Sequence, residues 1–151
     1  MKIKAFLDTN VLMDLLQNER PFSKYSMFII QAVFNGHIEA LITTQSIIDT
    51  SYLALKAGFA DSFLETANRW CDYANVDYIN TFDVKFAIRE NSGDFEDDVQ
   101  VSRALDTCCD VFVTSDKKLR RRYDGKYELL QFMSPEEFVC KLKGEAIPSQ
   151  S

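Results

Sequence analysis

The sequence predicts an α/β domain, a three-layer α/β/α sandwich with a mainly parallel central sheet covered by helices on both faces. Three observations predict it. Short apolar runs of strand length alternate along the chain with segments whose apolar residues recur at helical spacing, the pattern of successive βα units. Gly, Pro, Asn and Asp fall between these segments, where caps and turns belong. The 151 residues carry no repeat, low-complexity stretch or clear linker, so they read as one domain. A chain of that size buries roughly 70% of its unfolded surface.

The elements follow in order. Ile3 to Leu7 is a short apolar run ending in Asp8-Thr9-Asn10. A helical pattern comes next, with Val11, Leu12, Leu15 and Leu16 on one side. Pro21 sits where a first helical turn would begin. From Tyr25 to Phe34, Phe28, Ile29, Ala32 and Val33 recur at helical spacing, and Asn35-Gly36 stops that helix. Ala40-Leu41-Ile42 reads as a second strand. Thr43-Thr44 then caps a helix from Ser46 to Lys56, whose Ile47, Ile48, Tyr52 and Leu55 are its apolar residues and which Gly58 ends. Another amphipathic helix spans Ala60 to Tyr73, with Phe63, Leu64, Ala67, Trp70 and Cys71.

Val76 to Ile79 is read as a third strand and Phe82 to Asn91 as a short helix. After the loop Ser92-Gly93-Asp94, Phe95 to Cys108 is helical, with Val101, Leu105 and Cys108 inward. Asp110 to Thr114 is the fourth strand and runs into Ser115-Asp116. A short basic helix, Lys117 to Arg122, precedes an Asp124-Gly125 turn and a fifth strand over Glu128 to Phe132. Ser134-Pro135-Glu136-Glu137 starts the last helix, with Ser134 as cap and Glu137 at the capping-box position. The domain is taken as 1–143, and the polar stretch 144–151 as a frayed tail.

Bulk properties exclude several classes. Hydrophobic content of 46% with 26% charged residues is ordinary for a soluble globular protein. No apolar run approaches the ~20 residues a membrane helix needs. Asp8 interrupts the first apolar stretch too early for a signal peptide, so a cytoplasmic protein is expected. The four cysteines, Cys71, Cys108, Cys109 and Cys140, form no CxxC pair, and the single histidine, His37, has none beside it. That inventory argues against zinc and for buried, reduced thiols. His37 follows the Asn35-Gly36 turn and reads as a surface residue. A net charge of −6 argues against broad nucleic-acid affinity and leaves open that acids are concentrated to meet cations.

The informative feature is where the aspartates fall. Asp8 follows the first strand and Asp116 the fourth; Asp49 lies early in the helix after the second strand; Asp97 lies in the first turn of the helix opening at Asp94. In a parallel sheet all strand-to-helix junctions share one edge, outside the carboxyl ends of the strands, and open α/β sheets bind ligands there. Each of Asp8, Asp94 and Asp116 alone reads equally as a helix cap. Together they repel one another unless cations neutralise them. An all-carboxylate site suits Mg²⁺ or Mn²⁺ rather than zinc.

Leu7-Asp8-Thr9-Asn10-Val11-Leu12, then Asp94-Phe95-Glu96-Asp97, then Val113-Thr114-Ser115-Asp116, in this order and spacing, resemble the PIN domain family, most of all its bacterial VapC-like toxin branch. The resemblance spans about residues 1 to 140. It implies a Mg²⁺- or Mn²⁺-dependent ribonuclease that cleaves RNA by metal-activated water, with one or two ions. Carried over by position, Asp8, Asp97 and Asp116 are metal-site acids, and Asp49 takes the place where glutamate is usual. Being one methylene shorter, Asp49 is the main departure. Asn10, Thr114 and Ser115 match supporting positions that orient carboxylates, and Asp94 an additional acid. The resemblance further implies a homodimer and a small cognate antitoxin.

Other features have plainer readings beside the functional ones. Lys117, Lys118, Arg120, Arg121 and Arg122 form a basic run that would contact RNA phosphates, or a solvated helix that softens the net acidity. Phe63, Trp70 and Tyr73 read as core, or as part of a subunit interface. Two other functions stay open: a metal-dependent phosphatase or phosphoryl-acceptor domain, and a non-catalytic PIN-like module that binds RNA or protein. Against the former, Asp8-Thr9-Asn10 has no second aspartate.

Overall fold

A computed structural model describes residues 2–145. Five strands, β1 (Lys4–Leu7), β2 (Glu39–Thr43), β3 (Asn75–Asp77), β4 (Val111–Val113) and β5 (Gln131–Met133), form one sheet in the order β3-β2-β1-β4-β5. All four pairings are parallel, with Ala5 opposite Ala40 and Val111, and Phe112 opposite Phe132. The chain steps outward from β1 to β2 and β3, then returns to the far side of β1 for β4 and β5. The strand order therefore reverses between β1 and β4. The splayed connections at such a switch point open a crevice beyond the strand ends.

Period-two alternation divides the interior into two cores. Ala5, Leu7, Ala40, Ile42, Val111, Val113 and Met133 face one side. They meet helices α1 (Thr9–Asp14), α2 (Ser23–Phe34), α3 (Thr44–Ala57), α4 (Ala60–Tyr73) and α8 (Pro135–Lys143), through residues such as Leu12, Ile29, Trp70 and Phe138. Phe6, Leu41 and Phe112 face the other side, against Val101 and Ala104 of α6 (Phe95–Asp106) and Leu119 and Tyr123 of α7 (Lys117–Tyr123). There the rings of Phe6, Phe112, Phe132 and Tyr123 stack in sequence, with centroids 4.8, 5.3 and 5.2 Å apart. Burying each such side chain stabilises the fold by about 1.5–3 kcal/mol. The remaining helix, α5 (Thr81–Glu90), packs on α6. The expected three-layer sandwich is the observed fold, and its sheet is wholly parallel.

Several details differ from the sequence reading. The third strand ends at Asp77 because its pairing partners run out at Thr43. The fifth starts at Gln131, opposite Val111, and Leu129 ahead of it is 84% exposed. Helix α6 stops at Asp106: the Thr107 hydroxyl donates to the Arg103 carbonyl, and Cys108 takes a left-handed φ of 56° that turns the chain. Cys108 is therefore exposed rather than inward. All four cysteines are free, but Cys71 is exposed as well, and only Cys109 and Cys140 are buried. Phe63 and Trp70 are core, whereas Tyr73 is not.

The largest difference lies in α3. Its buried stripe is Ser46, Thr50 and Ala54, while Ile48, Tyr52 and Leu55 are 60%, 61% and 67% exposed. Small residues let α3 pack on α1, Ile47 packs partly against the core, and the other large apolar side chains are left outside. Helical spacing alone does not say which of two stripes is the core. Thr43 caps α3 and Ser134 with Glu137 forms the reciprocal box on α8, both as expected. No described helix is long and apolar enough to cross a membrane. The tail expected over 144–151 lies, from residue 146, outside the described residues.

Candidate functional site

Asp8 leaves the end of β1 at the switch point. Its backbone N–H donates to the Val113 carbonyl at the end of β4, so the two strand ends are tied where they part. Asp8 caps α1, with the Thr9 N–H donating to its Oδ1 at 2.7 Å. Its Oδ2 accepts from the Thr114 hydroxyl at 2.7 Å and from Asn10 Nδ2 at 3.0 Å. The Thr114 hydroxyl oxygen in turn accepts from Asn10 Nδ2 and from the Asp116 N–H, both at 3.1 Å. Asn10 Oδ1 accepts from the Ser115 N–H at 3.1 Å. Asn10, Thr114 and Ser115 thus lock Asp8 to the loop carrying Asp116. A side chain held by that many donors presents its carboxylate in one orientation.

The other acids arrive from helix starts. Asp116 caps α7, accepting from Lys118 and Leu119 N–H groups. Asp94 caps α6 and accepts from the Asp97 N–H at 3.0 Å, which sets Asp97 in the first turn. Asp8, Asp94, Glu96 and Asp97 line one cleft of about 440 Å³, together with Thr9 and Asn10. Neither Asp116 nor Asp49 belongs to that described lining. Asp49 accepts from Gln45 Nε2 at 2.9 Å and shares a hydrogen bond with Glu96, which bridges it to the cleft. Glu96 is the acid that sequence reading passes over. It stands inside Asp94-Phe95-Glu96-Asp97, but spacing alone does not show that it turns toward α3.

The electrostatics record the crowding. Burial raises the Asp8 pKa, opposed by its hydrogen bonds from Thr114, Thr9 and Asn10, and the charge of Asp116 raises it further. Asp97 is pushed up to about 7, by burial first and then by Asp94 and Asp8, although Arg122 draws it down. Glu96 is raised by burial, by Asp49 and then by Asp8 and Asp94. Three carboxyls that resist losing their protons describe a site short of positive charge.

The basic run divides. Arg122 Nη1 lies 3.3 Å from Asp97 Oδ2. Arg120 turns inward, donating to the Thr114 carbonyl at 2.7 Å beside Glu137. Lys117, Lys118 and Arg121 lie on the exposed side of α7.

The donor set bears on whether a divalent ion fits. Every candidate ligand is a hard oxygen, the carboxylates repel one another, and a cation would reverse that repulsion. Thr9, in the cleft lining, keeps a buried hydroxyl without a hydrogen-bond partner among the described residues. Among the described residues, no three Asp, Glu, His or Cys side chains stand close enough together to hold an ion as they are placed. In chemistry and charge the residues fit Mg²⁺ or Mn²⁺; the carboxylates frame the cleft rather than close on a point.

Comparison with known proteins agrees with this architecture. A family model described as PIN domain matches residues 4–118. No curated protein matches the chain. Among solved structures, the chain is similar to VapBC2 from Rickettsia felis, crystallised bound to a DNA fragment from its promoter. The TM-score is 0.62 at 13% identity, over 87% of this chain and 98% of that one. It is similar to PAE2754 from Pyrobaculum aerophilum, with a TM-score of 0.66 at 14% identity over 95% and 91%. It is also similar to a toxin-antitoxin complex from Klebsiella pneumoniae, with a TM-score of 0.58 at 17% identity over 83% and 94%. At these identities the likeness is one of fold.

Proposed function

Because the chain belongs to the PIN domain family, we propose that it is a Mg²⁺- or Mn²⁺-dependent endoribonuclease, the toxin of a toxin–antitoxin pair. One observation carries the reading. Asp8, Asp97 and Asp116 come from three distant parts of the chain, and their charges act on one another at the switch point of a parallel sheet. Asp8, Asp97 and Asp116 would hold one or two ions, with Asp49 joined to them through Glu96. When bound, such an ion lowers the pKa of a water molecule and neutralises charge on phosphoryl oxygens.

The chain's own residues do the rest. Asn10 and Thr114 hold Asp8, which lines the cleft, through its Oδ2. Asp94 sets the first turn of α6 and so the position of Asp97. Arg120 braces the Thr114 carbonyl from behind. Lys117, Lys118 and Arg121, exposed on α7 beside Asp116, would meet the RNA backbone, and Arg122 would follow once Asp97 is otherwise neutralised.

Partner binding is supported by surface chemistry. Ile48, Tyr52 and Leu55 on α3 and Phe82 and Ile88 on α5 are exposed apolar side chains of the kind a protein partner covers. The fold likeness to toxin–antitoxin proteins favours a cognate antitoxin and a second copy as its occupants. Free cysteines accord with a reducing, cytoplasmic setting. The nuclease domain is taken as 1–143, with 144–151 appended to it.

The test is cleavage of labelled single-stranded RNA with Mg²⁺ or Mn²⁺, beside an EDTA control and an Asp8→Asn variant. Cleavage abolished by EDTA and by the substitution supports the reading. Phosphorylation of Asp8 by a small phosphodonor, without cleavage, would replace it with phosphoryl transfer. That alternative is disfavoured because Asp8-Thr9-Asn10 offers no second aspartate beside Asp8.

A further inference from the structure

The cleft that holds Asp8 and Asp97 is not lined by acids alone. Met13, Gln17 and Arg20, from α1 and the turn after it, line the same space of about 440 Å³. Among the described lining residues Arg20 alone is a cation. Its position is built, not incidental. Arg20 Nε donates to Asp14 Oδ1 at 2.7 Å, and Nη2 reaches the Asn10 carbonyl at 3.5 Å. Asp14 is itself fixed. Its side chain is 2% exposed, and its Oδ2 accepts from the Ser26 hydroxyl at 2.6 Å. The Ser23 hydroxyl donates to the Asp14 carbonyl at 2.9 Å. Arg20 keeps 33% of its side chain exposed.

We propose that Arg20 is a substrate-positioning residue that grips an RNA phosphate flanking the scissile one, oriented for it by buried Asp14. This rests on the ribonuclease reading of the site. A staple for the α1–α2 turn needs only the Asp14 contact; it has no need to set a guanidinium in a cleft whose other charges are acids. A polyanion entering that cleft meets repulsion unless a fixed cation lies where its next phosphate passes. Arg122 answers Asp97 directly, whereas Arg20 donates to Asp14 and to the Asn10 carbonyl, neither of them a cleft acid. Arginine suits the task because its planar fork serves two acceptors at once: one edge holds Asp14 while the other addresses a phosphate.

The test is fluorescence anisotropy of a labelled single-stranded RNA with Mg²⁺ across a salt series. The parent is Asp97→Asn, which lacks an acid needed for cleavage. Arg20→Gln and Arg20→Lys are added to it, with thermal melting and wild-type cleavage in parallel. Arg20→Gln is expected to weaken binding about tenfold or more. It is also expected to reduce the slope of log K against log salt by about 0.7, one phosphate contact on a single strand. A merely structural role would leave that slope unmoved. Should Arg20→Gln fail to fold, Arg20→Met takes its place: it keeps the aliphatic stem, loses the charge and is expected to lower the slope equally, whereas Arg20→Lys keeps the charge and with it the slope. Folded variants that match the parent in both affinity and slope overturn the assignment and leave the nuclease intact. A wild-type chain that neither cuts nor binds RNA overturns the nuclease reading, and this inference with it.

Discussion

Thr114 and Asp8 lie 106 positions apart in the chain and meet in a 2.7 Å hydrogen bond across the gap between β1 and β4. The same hydroxyl accepts from Asn10 Nδ2 and from the Asp116 N–H. One fully buried oxygen thus sets the relation of two acids that follow different strands. Parallel pairing brings the strand ends together; this hydroxyl sets their chemistry in register.

Removing that hydroxyl tests its part. Thr114→Val keeps the shape but leaves the Asp116 N–H and Asn10 Nδ2 short of an acceptor and Asp8 short of a donor. A cost of about 1–3 kcal/mol is expected from the unsatisfied groups. Chemical denaturation reads it, and Thr114→Ser should restore most of the loss. Stability equal to wild type in Thr114→Val would mean the network is not holding Asp8.

The raised acids give a pH dependence with a definite sign. Asp97 titrates near 7 in the folded protein, above its unfolded value, so its proton is held more tightly when folded. Its contribution to stability is complete below the unfolded value, near 3.9, and is lost as pH rises through about 7. Metal-free protein should therefore lose roughly 1–2 kcal/mol between pH 5 and 8, after allowance for solvent screening. Asp97→Asn should flatten the profile. Melts that rise over the same interval would contradict it.

Glu96 and Asp49 should behave as a unit. Asp49 raises the cost of ionising Glu96, so Asp49→Asn and Glu96→Gln are expected to be non-additive, with a coupling of about 0.5–3 kcal/mol in a double-mutant cycle on Mn²⁺ affinity. Additive effects would place Asp49 outside the site.

The outward stripe of α3 should matter for association and not for folding. Leu55→Glu with Ile48→Lys is expected to change stability by less than about 0.5 kcal/mol. Light scattering after gel filtration should report less self-association, or less binding of a cognate partner, than for wild type. Unchanged association would place the partner elsewhere.

Much of this was legible in the sequence, for identifiable reasons. Strands buried on both faces read as plain apolar runs, and each ends where a polar or acidic residue begins, so Asp8 and Asp116 mark the strand ends. The three supporting residues flank those ends and come with them. Glu96 and Arg20 were not legible, because each depends on which way a side chain turns from a helix start or an irregular turn. The outward stripe of α3 was hidden because Ser46, Thr50 and Ala54 form a core face without apolar bulk. The basic run looked uniform in sequence, yet Arg120 and Arg122 are drawn inward by Glu137 and Asp97.

The central claim is that the acids at the switch point exist to meet a divalent cation, and calorimetric titration of the protein with Mn²⁺ at pH 8 tests it most directly. Wild type should bind one or two ions. Asp8→Asn and Asp97→Asn should each lose that binding while keeping a cooperative melt. A wild-type protein that takes up no Mn²⁺, or folded variants that bind it equally well, would contradict the claim and leave these carboxylates as helix caps.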